Sequence, residues 1–202
     1  MLLSAFTGFL AAQLTGSLWI GLLVAILTGI VLSLLLGFLT VTLGLNQHVS
    51  GLGITLLASG FALYTFRIVY GGSMTPPSLE TSTPLLAIAK GTWLEPLFSQ
   101  YWLTYLAVAL VPLLGWLLSH TRFGLRVRSV GMNPEAADVA CVNVSRVRYQ
   151  ALILGGALIG LGGAFLSLAQ LGAFTHGVVN GRGWVAIAIV IFGNWQPSKV
   201  FF

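Results

Sequence analysis

The first 66 residues of the chain contain no Asp, Glu, Lys or Arg. Because a membrane-spanning helix needs about 20 consecutive apolar residues, this stretch alone has room for two spans and part of a third. The chain of 202 residues is 57% hydrophobic and 6% charged, whereas soluble domains carry about 25% charged residues. This balance leaves little room for a soluble fold and excludes a disordered chain. The sequence therefore predicts an all-α, polytopic integral membrane protein.

Apolar runs divide the chain into helices. They predict a short first helix, four longer helices and the start of a sixth, at residues 1–14, 18–43, 49–70, 101–119, 149–171 and 184–192. Glycine and polar residues between the runs are typical of turns. We expect five to six transmembrane helices within one membrane domain over residues 1–202.

The two long connections between these runs differ in charge. Residues 71–100 are rich in Pro and Gly, whereas residues 120–148 contain five arginines against Glu135 and Asp138. Because basic loops stay on the cytoplasmic side, we expect 120–148 to be cytoplasmic and 71–100 to be external. The formal net charge of +5 is then a sign of topology and does not indicate a nucleic-acid partner.

Catalytic and ion-coupling signatures are missing from the sequence. No carboxylate falls inside a predicted span, which argues against an ion-coupled carrier, although backbone carbonyls can hold sodium. The sequence has no phosphate-binding loop, no nucleophile elbow and no histidine pair at metal-ligand spacing. We therefore expect a protein that is not an enzyme and holds no metal or cofactor, so that any use of ATP and Mg requires a partner.

The basic connection contains signals for one short helix. Asn133 is a good helix N-cap, Pro134 suits the first helical position, and Glu135 favours the first turn. The helix over 134–140 is too short to be stable alone, so it has to dock against something. From these residues alone, a docking element for a cytoplasmic partner and a solvated connector are both open.

Several segments together resemble one family. The connection resembles the coupling loop of ABC importer permeases of the branched-chain amino acid/ribose-type group, and most closely the simple sugar and nucleoside permeases. The segments that carry the resemblance are Thr121-Arg122-Phe123-Gly124-Leu125-Arg126, Gly131-x-Asn133-Pro134-Glu135-Ala136-Ala137, Asn46-Gln47-x-Val49-Ser50-Gly51, Gly155-Gly156-Ala157-Leu158-Ile159-Gly160-Leu161-Gly162-Gly163-Ala164, Gly181-Arg182-Gly183-Trp184 and Ile191-Phe192-Gly193-Asn194-Trp195-x-Pro197.

The resemblance implies the membrane permease subunit of an ATP-driven importer for a small polar solute such as a simple sugar or nucleoside. It implies a multi-pass protein of the bacterial plasma (inner) membrane, surrounded by lipids. Its partners would be an ABC ATPase that binds ATP and Mg, a second permease subunit (identical or not) and an extracytoplasmic substrate-binding protein. The residues expected to couple to the ATPase are Gly131, Asn133, Pro134, Glu135, Ala136, Ala137 and Asp138.

A polar solute needs hydrogen-bonding side chains along its path. The candidates for this path are Asn46, Gln47, Ser50 and Gln170, each of which could instead form a hydrogen bond between helices. Members of the group often have Gly where Cys141 stands.

Members of the group are also longer, so we expect this chain to be a fragment truncated at both ends. Two rival functions stay open. One is a stand-alone secondary carrier or facilitator, and the other is a truncated membrane scaffold that transports nothing.

Overall fold

The computed structural model describes residues 1–71, 101–175 and 177–194, which form helices joined by short turns. The helices are α1 (Leu2–Thr15), α2 (Leu18–Gly37), α3 (Gln47–Tyr70), α4 (Trp102–His120), α5 (Arg122–Met132), α6 (Pro134–Val139), α7 (Val144–Ala164) and α8 (Arg182–Phe192). A π-helical turn extends α2 over Phe38–Thr42, and another extends α7 over Phe165–Gln170. Apart from Gly71, the predicted external loop lies outside the described residues.

Within the described ranges, four helices are long and apolar enough to cross a membrane. These are α2 and α7 with their π-helical extensions, α3 and α4, while α1 and α8 are shorter apolar helices. The expectation of an all-α, polytopic membrane protein is confirmed. The assignment of a single domain to 1–202 and the membrane side of each connection stay predictions.

Helices α2 and α7 form an antiparallel pair at the centre of the fold. Gly29 of α2 lies against Gly156 and Gly160 of α7, so closely that a Cβ added at Gly160 would lie 2.5 Å from the carbonyl oxygen of Ala25. Small residues let helix backbones approach in this way, which increases the van der Waals contact that holds membrane helices together. The glycine pattern of α7 therefore serves packing inside this chain.

Helix α1 packs into the groove beside this pair. Thr7 of α1 and Thr28 of α2 share a hydrogen bond of 2.9 Å between their hydroxyls. The buried Phe6 meets Phe174 edge-to-face, with ring centroids 5.1 Å apart. Since residue 174 follows the π-helical end of α7, this aromatic contact fixes the chain after α7 against α1.

The basic connection differs from its prediction, which allowed one short helix within a loop. Residues 122–132 form the helix α5, and α7 begins at Val144 instead of residue 149. The hydroxyl of Thr121 accepts a 3.2 Å hydrogen bond from the Gly124 backbone N–H, and Asn143 caps α7 in the same manner. The cause is amphipathic patterning, because Phe123, Val127 and Val130 recur at helical spacing.

Candidate functional site

Helices α5 and α6 and the first turns of α7 form one layer at one end of the bundle, which we call the basic end. The Thr42 hydroxyl after α2 lies 2.6 Å from the Tyr149 hydroxyl of α7, which ties this layer to the central helix pair. Arg128 donates a hydrogen bond of 3.2 Å to the carbonyl oxygen of Ser119 at the end of α4. The five arginines of the layer are all exposed, at Arg122, Arg126, Arg128, Arg146 and Arg148.

Asn133 caps the N-terminus of α6, as its position before Pro134 predicts. Its side-chain oxygen accepts hydrogen bonds of 3.1 Å from the backbone N–H groups of Glu135 and Ala136. These two donors belong to the first turn, where a helix has no internal partners for them. The cap supplies much of the local order of a helix that has only six residues.

Replacing Asn133 with alanine should loosen α6. A lost N-cap costs about 1 kcal/mol, which opens the helix roughly fivefold more often. We expect elastase to cleave within residues 134–142 correspondingly faster, because cleavage requires local unfolding. Asn133→Asp keeps the acceptor oxygen and should leave the cleavage rate near that of the parent chain; equal cleavage of Asn133→Ala and Asn133→Asp would contradict this role of the cap.

The C-terminus of α6 is closed by a Schellman motif. The N–H of Cys141 donates to the carbonyl of Asp138 at 2.9 Å, and the N–H of Val142 donates to the carbonyl of Ala137 at 3.0 Å. This motif places its C′ residue in the left-handed region, and Cys141 has a φ of 59°. Glycine fits this conformation without strain, which gives a physical reason for glycine at this position.

Cys141→Gly should therefore stabilise α6. The thiol is exposed, so little packing is lost, and relief of the left-handed strain is worth about 1 kcal/mol. We expect the amides of residues 134–142 to exchange with solvent roughly fivefold more slowly. Ala140→Gly is the matched control, since Ala140 has a φ of −79° and a glycine there should speed exchange. Faster exchange in Cys141→Gly would show that the strain is absent.

The remaining requirement of α6, a surface to dock against, is met inside the chain. Ala137 is only 5% exposed and packs with Val130 of α5 and Val147 of α7. Val142 lies against the same cluster, which completes the apolar contact of the Schellman motif. Because α6 is attached to both α5 and α7, a displacement of α6 would be transmitted to the central helix pair.

The other face of α6 is open to solvent. Glu135, Ala136 and Asp138 are exposed. Two large apolar side chains accompany them, Val139 at 86% and Met132 at 88% exposure. This apolar pair has no signal in the sequence spacing, because only the burial of Ala137 on the opposite face indicates that Val139 points outward. The surface made by these five residues is called the α6 outer face below.

The predicted pathway residues do not form one cluster. Asn46 caps α3 with its side-chain oxygen, Gln47 is exposed beside it, and Ser50 is 8% exposed one turn later. Gln170 ends the π-helical extension of α7 and accepts a 3.2 Å hydrogen bond from Arg182. These groups lie at opposite ends of the α2–α7 pair, about 30 Å apart by the helical rise. A common role in one pathway stays a prediction.

Among the described residues, no group of three or more His, Cys, Asp or Glu side chains is placed to hold a metal ion. His48 lies in the first turn of α3 and His120 at the end of α4, both exposed, and His176 lies outside the described residues.

The chain matches known proteins over its whole length. The model of the family described as "Branched-chain amino acid transport system / permease component" matches residues 1–202. A putative glucose ABC transporter permease protein of Haloferax volcanii is 36% identical to the chain, over 99% of this chain and 61% of the relative. A guanosine ABC transporter permease protein of Bacillus subtilis is 33% identical, over 98% of this chain and 65% of the relative.

A third relative is a nucleoside ABC transporter permease protein of Lactococcus lactis, 33% identical over 89% of this chain and 57% of the relative. The chain thus spans about three fifths of the length of the curated relatives it matches. No solved structure matches the chain significantly.

Proposed function

Because the chain belongs to the family of branched-chain amino acid transport system permease components, we propose that it acts in the membrane subunit of an ATP-driven importer. The relatives are named as ABC transporter permeases for glucose, guanosine and nucleosides. The family and the four apolar spans make the chain a multi-pass protein of the plasma (inner) membrane. The subunit moves solute, and hydrolysis of ATP with Mg belongs to a separate ATPase.

The observation that carries the proposal is the α6 outer face. A short helix, capped at both ends and held by Ala137, presents two carboxylates and two apolar side chains to solvent. Such a surface combines apolar anchors with charged residues around them, as protein interfaces do. We assign the ATPase to this face and retain Gly131, Asn133, Pro134, Glu135, Ala136, Ala137 and Asp138 as the coupling segment.

The coupling mechanism follows from the contacts of α6. Binding of an ATPase shifts an equilibrium only if it favours one position of α6 over another. Since Ala137 packs on both Val130 and Val147, a movement of α6 carries α5 and the start of α7 with it. Small shifts at such a packed junction become rigid-body motions of helices. The α2–α7 pair would then rock between inward-open and outward-open arrangements.

The substrate class that fits best is a small polar, largely uncharged solute, either a simple sugar or a nucleoside. The described spans contain no Asp or Glu, so the path would recognise its solute by hydrogen bonds and not by an opposite charge. Asn46, Gln47, Ser50 and Gln170 are proposed liners near the two ends of this path. A second permease subunit and an extracytoplasmic binding protein would complete the importer.

Uptake of labelled glucose or guanosine into proteoliposomes tests the function. The vesicles would contain the chain, its cognate ATPase and a binding protein on the opposite side. We expect uptake only with ATP and Mg, and none with a nonhydrolysable ATP analogue. Equal uptake without ATP would favour a facilitator, and stable assembly without stimulation of ATP hydrolysis would favour a scaffold.

A further inference from the structure

An apolar groove opens at the basic end between α4, α5 and α7. Its volume is about 360 Å³, which lies in the range of small-molecule sites. Aliphatic and aromatic side chains line it from Val111 to Leu118 on α4, at Phe123 and Val127 on α5, and from Ala151 to Leu158 on α7. The lining residues span seven helical steps on α4 and seven on α7, so the groove is about 10 Å long in the direction of these helices.

The length and the apolar lining of the groove suit a single hydrocarbon chain. If α4 crosses the membrane as predicted, its end beside the groove lies near the boundary between acyl chains and headgroups.

The charged residues on the three helices around the groove are all basic. Helices α4, α5 and α7 contain no Asp or Glu, and α5 bears Arg122 and Arg126 four residues apart along one margin of its apolar face. Both arginines are exposed, and neither guanidinium makes a hydrogen bond or ion pair with any residue that the structure describes. Arg128, on the opposite margin, already donates to the carbonyl of Ser119.

We propose that this groove binds one anionic phospholipid, with an acyl chain between α4, α5 and α7 and its phosphate at Arg122 and Arg126. Arginines between helices at the cytoplasmic surface suit anionic headgroups, because guanidinium donors pair with phosphate oxygens in a planar fork. The bound lipid would fill the gap beside α5 and hold this helix, and through it α6, at a fixed height in the membrane.

Native mass spectrometry of the purified full chain tests the proposal. The probes are phosphatidylglycerol and phosphatidylcholine with identical acyl chains. We expect the chain to retain one phosphatidylglycerol and to bind it about 30-fold more tightly than phosphatidylcholine, since each basic residue near the surface contributes roughly a fivefold preference.

Two sets of variants test the contacts of the lipid headgroup and those of its acyl chain separately. Arg122→Gln/Arg126→Gln should lose the 30-fold preference, and Arg122→Lys/Arg126→Lys should keep part of it. Arg67→Gln/Arg146→Gln removes the same charge away from the groove and should leave the preference unchanged.

Gly155 lines the groove, and an added Cβ there meets no atom within 4 Å. Gly155→Leu should therefore fill the groove and weaken both lipids, while Gly115→Leu on α4 should weaken neither.

Equal loss of preference in the two arginine-to-glutamine pairs would overturn the proposal, because it would reduce the effect to net charge. Unchanged lipid retention in Gly155→Leu would also overturn it, because the acyl chain would then lie elsewhere. Every variant is compared at an unchanged melting temperature. If the glutamine pair unfolds, the lysine pair decides, because full retention of the preference by Arg122→Lys/Arg126→Lys would contradict pairing of the phosphate with the guanidinium forks.

Discussion

Gly156→Leu is expected to prevent the central helix pair from closing, with a loss of stability of about 3 kcal/mol or more. A Cβ at Gly156 would already collide with the Ser33 hydroxyl and lie 2.6 Å from the carbonyl oxygen of Gly29. The Gly29 oxygen is backbone and has no rotamer by which to move away. The two helices would have to separate, and contact is lost along their whole length because packing is what holds membrane helices together.

The neighbouring glycine provides the control. Gly155 precedes Gly156 on the same helix, and its added Cβ meets nothing within 4 Å. Gly155→Leu introduces the same side chain with the same helix propensity and should melt close to the parent chain. The melting temperature in detergent is the measurement. Equal destabilisation by the two leucines would mean that α2 and α7 do not pack through Gly29 and Gly156.

Glu135→Lys is expected to lower substrate-stimulated ATP hydrolysis by at least tenfold while membrane insertion stays unchanged. Glu135 is exposed on the α6 outer face, so its reversal disturbs no core contact. A lysine there would place a positive charge against any basic docking surface of the ATPase and against the positive end of the helix dipole. Docking would weaken through both effects.

Two further variants separate docking from helix stability. Glu135→Gln removes the charge without reversing it and should have an intermediate effect. Ser145→Lys adds a positive charge at the same end of the bundle but on α7, and it should leave hydrolysis near the parent rate. Membrane content is measured by fractionation. If Glu135→Lys binds and stimulates the ATPase as well as the parent chain does, α6 is not the coupling element.

Much of the fold could be predicted from local sequence, because membrane spans depend on long apolar runs and short elements depend on caps. The Asn133 cap is an example, since Asn followed by Pro specifies a helix start without any distant partner. Helix α5 was missed because its arginines dominate its composition, although Phe123, Val127 and Val130 follow the helical period. The lesson is that periodicity has to be counted even in strongly basic connections.

Other features depend on which helices meet, and sequence spacing does not specify that. The glycines of α3 and α7 look alike in sequence, yet Gly156 and Gly160 pack closely against α2 whereas Gly53 has no neighbouring atom within 4 Å of an added Cβ. The left-handed backbone conformation of Cys141 could not be predicted either, because cysteine has no local preference for it. The pathway residues were grouped by polarity alone, which says nothing about the end of the bundle to which each belongs.

Photo-crosslinking from Val139 tests most directly whether the α6 outer face docks an ATPase. A photoreactive amino acid at Val139 is compared with one at Thr175, an exposed position at the opposite end of the bundle, in membranes of the native host. We expect the Val139 probe to capture a protein whose peptides contain a G-x-x-x-x-G-K-[ST] phosphate-binding loop, and the Thr175 probe to capture none. Failure of the Val139 probe to capture such an ATPase, or equal capture from Thr175, would contradict the assignment of α6 as the coupling helix.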